Sequence, residues 1–153
     1  MASGSKMGAG MAGAGKSAAK ALQGYSAIFR HLAGEHAEVS TLMKRVAGST
    51  DGDTRDELFR EIRRNLLAHA KGEEAEFYPR LREYPELESM VSQAIDEHKE
   101  MERLLESLNA GDKSGSDWGE RFEQLKTAVE QHVDHEENKL FPKANDLLES
   151  KQA

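Results

Sequence analysis

At 153 residues the chain is long enough for one domain with a proper core, and its formal net charge of −7 argues against nucleic acid or an anionic membrane as its partner. Cysteine is absent, which excludes disulfide frameworks, thiolate catalysis and sulfur-ligated zinc or iron–sulfur centres. No apolar run reaches the roughly 18 residues that a membrane span needs, and the start offers no stretch of signal-peptide type, so the cytoplasm is the default location by elimination.

Residues 1 to 20 (MASGSKMGAGMAGAGKSAAK) are rich in Gly, Ala and Ser and read as a flexible, disordered or weakly helical N-terminal tail, because they bury too little apolar surface to offset their ordering. The alternative is that residues 16 to 23 extend the first helix, since Ala and Lys are good helix formers. Gly10 to Ser17 also satisfy the phosphate-loop string G-x4-G-K-S. That string needs a buried strand before it within an α/β unit, and residues 1 to 9 cannot form one, so a chance match in a simple-composition tail is the better reading.

Residues 21 to 150 read as a bundle of four helices. The first runs from about Ser26 to Ala47 and ends in a Gly48-Ser49-Thr50-Asp51-Gly52 turn. Thr54 with Glu57 has capping-box spacing and opens the second, which runs to about Glu83 with a bend expected at Pro79. Pro85 opens the third, which ends near Asn109 to Gly111. Asp117 with Glu120 repeats the capping-box spacing and opens the fourth, which reaches about Glu149 with Pro142 late in it. The connections are short, so the fold class expected is all-α, an up-down-up-down four-helix bundle.

Apolar residues recur at helical spacing in all four segments, and six polar residues interrupt the stripes: His36, His69, Glu73, His98, His132 and Glu136. The four histidines lie 12 to 15 residues from their connecting turns, which at about 1.5 Å per residue places them in one layer near mid-bundle. Two of the interruptions belong to one repeated pattern. Residues 69 to 79 read HAKGEEAEFYP and residues 132 to 142 read HVDHEENKLFP, each a His, three residues, Glu-Glu, three residues, an aromatic and Pro. His36 and His98 stand in equivalent places 62 residues apart, so the repeat is a two-helix unit.

Two carboxylates on core stripes lose several kcal/mol of hydration each unless a counter-charge reaches them, and neutral imidazoles supply none. A cation does. Nitrogen and oxygen donors without sulfur suit iron or manganese, with zinc possible. Six donors exceed one tetrahedral ion and fit two ions, each with two histidines, bridged by Glu73 and Glu136. His31 turns about 140° away from His36 and reads as a rim residue. His135, three residues from His132, shares part of its face and is a candidate ligand or supporting group. Glu74 and Glu137, one step off the stripe, are candidates to support ligand histidines, with a solvated helix face as the plainer role. Tyr78 and Phe141 are expected to pack around the site rather than react in it.

The order His36, His69-x3-Glu73, His98, His132-x3-Glu136 resembles the hemerythrin-like (HHE cation-binding) family over about residues 26 to 148. The resemblance implies a non-haem centre of two iron ions, with a bridging oxo or hydroxo group, whose ligands are small molecules such as dioxygen, peroxide or nitric oxide. The chain departs from the oxygen carriers of that family. They have His-x3-His in the third helix, whereas His98 is flanked at four residues by Ala94 and Glu102. Their last motif ends in His-x4-Asp, whereas this chain has Glu136 at the third intervening place and Glu137 at the fourth. A missing imidazole opens a position on one iron unless Glu102 fills it; either outcome disfavours reversible oxygen carriage. The leading expectation is a protein that binds and reacts with dioxygen or peroxide, with peroxide-decomposing or oxidase-type turnover. The alternatives are a carrier or a sensor of oxygen, iron or nitric oxide without turnover, and a bundle whose metal is structural.

Overall fold

The computed structural model describes residues 14–152, and the side chains of residues 24–150. Helix α1 spans Ala14–Ala47 and α2 spans Gly52–Gly72. A π segment, Glu73–Phe77, joins α2 to the short α3, Tyr78–Leu81, as one continuous rod. A 3-10 turn, Pro85–Leu87, leads into α4, Glu88–Asn109. Helix α5, Ser116–His135, continues through a second π segment, Glu136–Leu140, into α6, Phe141–Gln152. No strand occurs among the described residues. The result is the expected bundle of four long rods in sequential contact, with α1 against α2 and α6, and α4 against α5.

Several sequence expectations change in detail. The first helix begins at Ala14, so residues 16 to 23 do extend it, and Ala14 to Ser17 of the phosphate-loop string are helical with no strand before them among the described residues. Residues 1–13 of the expected tail, including Gly10 to Gly13 of that string, lie outside the described residues. Helix α2 is capped by Asp51, not by Thr54: the Asp51 carboxylate accepts from the Thr54 backbone N–H at 2.9 Å and from its hydroxyl at 2.7 Å. An Asp at this place also faces the positive end of the helix dipole. Helix α5 starts from Gly115 without a side-chain cap, and Asp117 sits in its first turn.

The bends expected at the prolines take a specific form. Pro79 and Pro142 lack the N–H that an α-helix would use, and their rings crowd the preceding turn. In each rod the turn before the proline widens, with the Tyr78 N–H bonding the Glu73 carbonyl and the Phe141 N–H bonding the Glu136 carbonyl, five residues back. Each widened turn begins at a stripe glutamate.

The apolar stripes bury as the helical period demands, Phe29 alone remaining half-buried. They form two clusters. One gathers Val39, Met43, Ile62, Leu105, Phe122 and Leu125 toward one end, and the other gathers Leu32, Phe77, Leu81, Val91, Leu140 and Phe141 toward the opposite end. The buried histidines and glutamates lie at chain positions between them. At the end of the first cluster, the buried Arg55 donates to the carbonyls of Ser49 (2.8 Å), Lys113 (2.8 Å) and Gly115 (3.2 Å) and covers the Trp118 ring. The Trp118 indole N–H donates to the Leu108 carbonyl at 2.9 Å. These bonds tie the two connections at this end to each other.

Candidate metal centre

All six stripe interruptions are buried, Glu73 and Glu136 completely. The ligating atoms of His36, His69, Glu73, His132 and Glu136 all lie within 4.8 Å of one another. His98 stands outside that five-membered group but joins it through Glu73, its Nε2 lying 3.0 Å from Glu73 Oε1. The predicted layer is therefore present. His36 Nε2 lies 3.1 Å from His69 Nε2 and 3.2 Å from Glu136 Oε1. His69 Nε2 lies 3.1 Å from Glu73 Oε1, and His132 Nε2 lies 3.4 Å from Glu136 Oε1.

Each of the four rings is oriented from outside by a carboxylate on another helix. The Nδ1–H of His36 donates to Glu137 at 2.7 Å, and that of His98 to Glu74 at 2.7 Å. The Nδ1–H of His69 donates to Glu35 at 2.7 Å, and that of His132 to Glu97 at 2.8 Å. Such bonds fix the tautomer and turn every Nε2 inward, the arrangement that supports metal-bound imidazoles. They also obey the internal repeat, since Glu35 and Glu97 immediately precede His36 and His98 while Glu74 and Glu137 immediately follow Glu73 and Glu136. Glu74 and Glu137 thus do more than face solvent. Glu35 and Glu97 were not foreseen as partners of the ring on the neighbouring helix; the signal was the Glu-His dipeptide repeated at residues 35–36 and 97–98.

The remaining candidates divide. His135 is buried and its Nδ1–H reaches Glu97 at 3.2 Å, beside His132, but it is not part of the five-membered group. Glu102 is exposed and lines a groove with Leu67, Lys71 and Glu74, so it does not fill the gap beside His98. His31 is exposed at the rim and pairs with Glu35 at 3.4 Å. Tyr78 corrects the sequence reading: it is buried and its hydroxyl enters the site, meeting Glu136 Oε2 and lying 3.0 Å from Glu73 Oε1 and 3.4 Å from His98 Nε2. Phe141, its counterpart in the repeat, stacks on Phe29 at 4.8 Å as expected of a packing residue.

The electrostatics describe a site built for positive charge. Burial opposes ionisation of Glu73, yet the imidazoles of His132, His69 and His98 around it outweigh that cost and hold the carboxyl well below its usual range. Burial likewise opposes charge on His69, but Glu35 and Glu73 push its pKa up to about 10. For His132, Glu136, Glu73 and Glu97 overcome burial and push it up to about 12. Protons on His69 and His132 thus offset the buried negative charge of Glu73 in the metal-free chain. Even so, Glu73 Oε2, Glu136 Oε1 and His132 Nε2 are buried without a hydrogen-bond partner. Buried polar atoms are rarely left so, and three of the five such side-chain atoms among the described residues belong to this cluster, Arg63 Nε and His135 Nε2 being the others. The donor set fits a divalent or trivalent cation.

Comparison with known proteins agrees. The chain is 36% identical over 118 residues to a protein of Nostoc sp. (strain PCC 7120) named DNA nickase, a match that takes in 77% of this chain but only 33% of that protein. The chain therefore spans about a third of the length of that relative. No solved structure matches it. Among the described residues no helix is long and apolar enough to cross a membrane. Residues 27–144 match the hemerythrin HHE cation binding domain, and with the six buried histidines and glutamates falling inside that span, the chain belongs to the hemerythrin HHE cation-binding family.

Proposed function

We propose that the chain holds two non-haem iron ions at this centre, with His36, His69, Glu73, His98, His132 and Glu136 as ligands, and that it binds and reacts with dioxygen or peroxide there. The observation that carries the reading is the spacing of the inward donors. Ligands adjacent on one octahedral ion with bonds of about 2.1 Å sit about 3 Å apart, and the His–His and His–Glu separations of 3.0 to 3.4 Å match that edge. Ordinary packing would not bring two imidazole Nε2 atoms and two fully buried carboxylates so close. Iron, when bound, supplies electrons and open positions for an oxygen species. The chain's own residues do the rest. Glu73 and Glu136 provide negative charge at the core, and the four outer glutamates hold the Nε2 atoms inward. The two apolar clusters exclude bulk water.

Access supports small ligands. A groove of about 370 Å³ between α1 and α5 with its following π segment is lined by Ala33, Ala37, Ser40, Val129, Glu137 and His36 itself. It offers a path from solvent to one edge of the centre, with small side chains along the α1 wall.

Metal analysis of protein purified without added metal tests the reading, followed by visible spectra on adding oxygen and by loss of peroxide under the iron-loaded chain. Two irons per chain with peroxide turnover are expected. A stable oxygenated spectrum without turnover would turn the assignment to a carrier or sensor. Unchanged spectra, with unfolding on metal removal, would leave a structural metal.

The name of the Nostoc relative favours a second reading, metal-dependent nicking of DNA. The chain's net charge of −7 opposes phosphate binding, because no excess of cations is available to replace the counterions of a duplex. Relaxation of a supercoiled plasmid by the iron-loaded chain at low salt distinguishes the two.

A further inference from the structure

We propose that Tyr78 is a seventh ligand of the centre, its phenol oxygen binding the ion on the His98 side and making the two halves of the site chemically unequal. The inference rests on the iron reading above and deepens it.

Three observations meet at this residue. The Tyr78 hydroxyl is placed as the other donors are, 3.0 Å from Glu73 Oε1 and 3.4 Å from His98 Nε2, and against Glu136 Oε2. Its ring lies nearly parallel to that of His98, with centroids 5.5 Å apart. Secondly, α4 contributes one imidazole and no further donor: four residues either side of His98 stand Ala94, which is apolar, and Glu102, which is exposed. The oxygen of Tyr78 occupies that side. Thirdly, the widened turn Glu73–Phe77 is what delivers it. In an α-helix a residue five places beyond Glu73 is turned about 140° from it. The π turn closes most of that angle, so that Phe77 and Tyr78 are both buried. The same widened turn in the other half presents Phe141, which has no oxygen. The repeat is therefore twofold in its six inward histidines and glutamates, and Tyr78 breaks that symmetry with an oxygen that Phe141 lacks.

A phenol that binds ferric iron does so as phenolate, releasing one proton to solvent, as ligand deprotonation on metal binding requires. Phenolate adds a negative charge and stabilises the ferric over the ferrous state on that side. The competing role is a phenol that remains protonated and donates a hydrogen bond to Glu136 or Glu73.

The test uses the full chain loaded with ferric iron, with visible absorption and resonance Raman spectroscopy as the readout. Phenolate bound to ferric iron gives an intense visible charge-transfer band and enhances the ring modes of tyrosine. The chain has three tyrosines, Tyr25, Tyr78 and Tyr84. The Tyr78→Phe variant should keep its iron and lose the band entirely. The double variant Tyr25→Phe/Tyr84→Phe should keep both, and it answers the question even where Tyr78→Phe does not fold. Iron bound without tyrosine modes in the wild type overturns this proposal and leaves the iron reading standing. A chain that binds no iron overturns both.

Discussion

Glu137 accepts a 2.7 Å hydrogen bond from Nδ1 of His36 across 101 residues of chain, and Glu74 holds His98 at the same 2.7 Å. The two bonds are one interaction used twice. Truncating either carboxylate, as in Glu137→Leu or Glu74→Leu, frees a ring to rotate and to change tautomer. Metal affinity should fall by about 10- to 100-fold for each, measured by competition with a chromophoric chelator. Gln at either place still offers a carbonyl oxygen to the N–H and should lose less.

Glu73 has no exposed surface and stands beside His69, His98, His132 and Tyr78. Glu73→Gln keeps the shape and removes the charge that a cation needs. Iron content should collapse, and melting curves with and without iron should coincide. In the wild type, free iron at a hundred times its Kd should stabilise the fold by about 2.7 kcal/mol. An iron-dependent melting shift in the variant would count against Glu73 as an essential ligand.

The pH dependence of the metal-free chain has a worked sign. His69 is raised from 6.5 to about 10, so its contribution to stability is complete below pH 6.5 and is lost as pH rises through about 10. Glu73 is lowered from 4.5, so its contribution is complete above pH 4.5 and is lost as pH falls through its depressed value. The metal-free protein should be most stable between those two reference values. Metal must displace the protons of His69 and His132, so apparent iron affinity should climb with pH through about 10 and on toward about 12. Denaturant titrations and chelator competition across pH check the two halves of this statement.

The groove between α1 and α5 gives a kinetic prediction. Ala33→Phe with Ala37→Phe should fill its α1 wall while leaving every donor in place. Stopped-flow association of peroxide with the iron-loaded chain should slow severalfold at unchanged iron content. An unaltered rate would move the entry path elsewhere.

Far from the centre, Arg55 binds three carbonyls of two connections and covers Trp118. Arg55→Ala leaves those acceptors without their charged partner and should cost about 3 kcal/mol of stability, read by urea unfolding. Arg55→Lys should not restore it, because one ammonium cannot span three separated carbonyls. Iron stoichiometry should be unchanged in both.

The six inward residues were legible because the helical period marks the core and each of them breaks it with a polar group. Their common height followed from counting residues to the turns. Tyr78 was not legible, because the count assumes 3.6 residues per turn and the turn before Pro79 is wider. The same holds for the caps: Thr54 with Glu57 has the spacing of a capping box, but Asp51, already at the positive end of the helix, takes the bond instead. Glu35 and Glu97 sit one place before their histidines, off the stripe, and reach a ring on another helix. Spacing within one helix does not reveal a partner between helices.

The division of the apolar core into two clusters has a consequence for cooperativity. A bundle normally melts as one unit because its hydrophobic contacts run unbroken from end to end. Here a polar layer interrupts them, and the rods crossing it are weakened by a widened turn at the same level in α2–α3 and in α5–α6. With a cation in place, ligands from all four rods clamp that level. Without one, the level is held by imidazole–carboxylate hydrogen bonds between neighbouring rods instead of by a centre common to all four. The centre is then also the joint that decides whether the bundle behaves as one folding unit or as two.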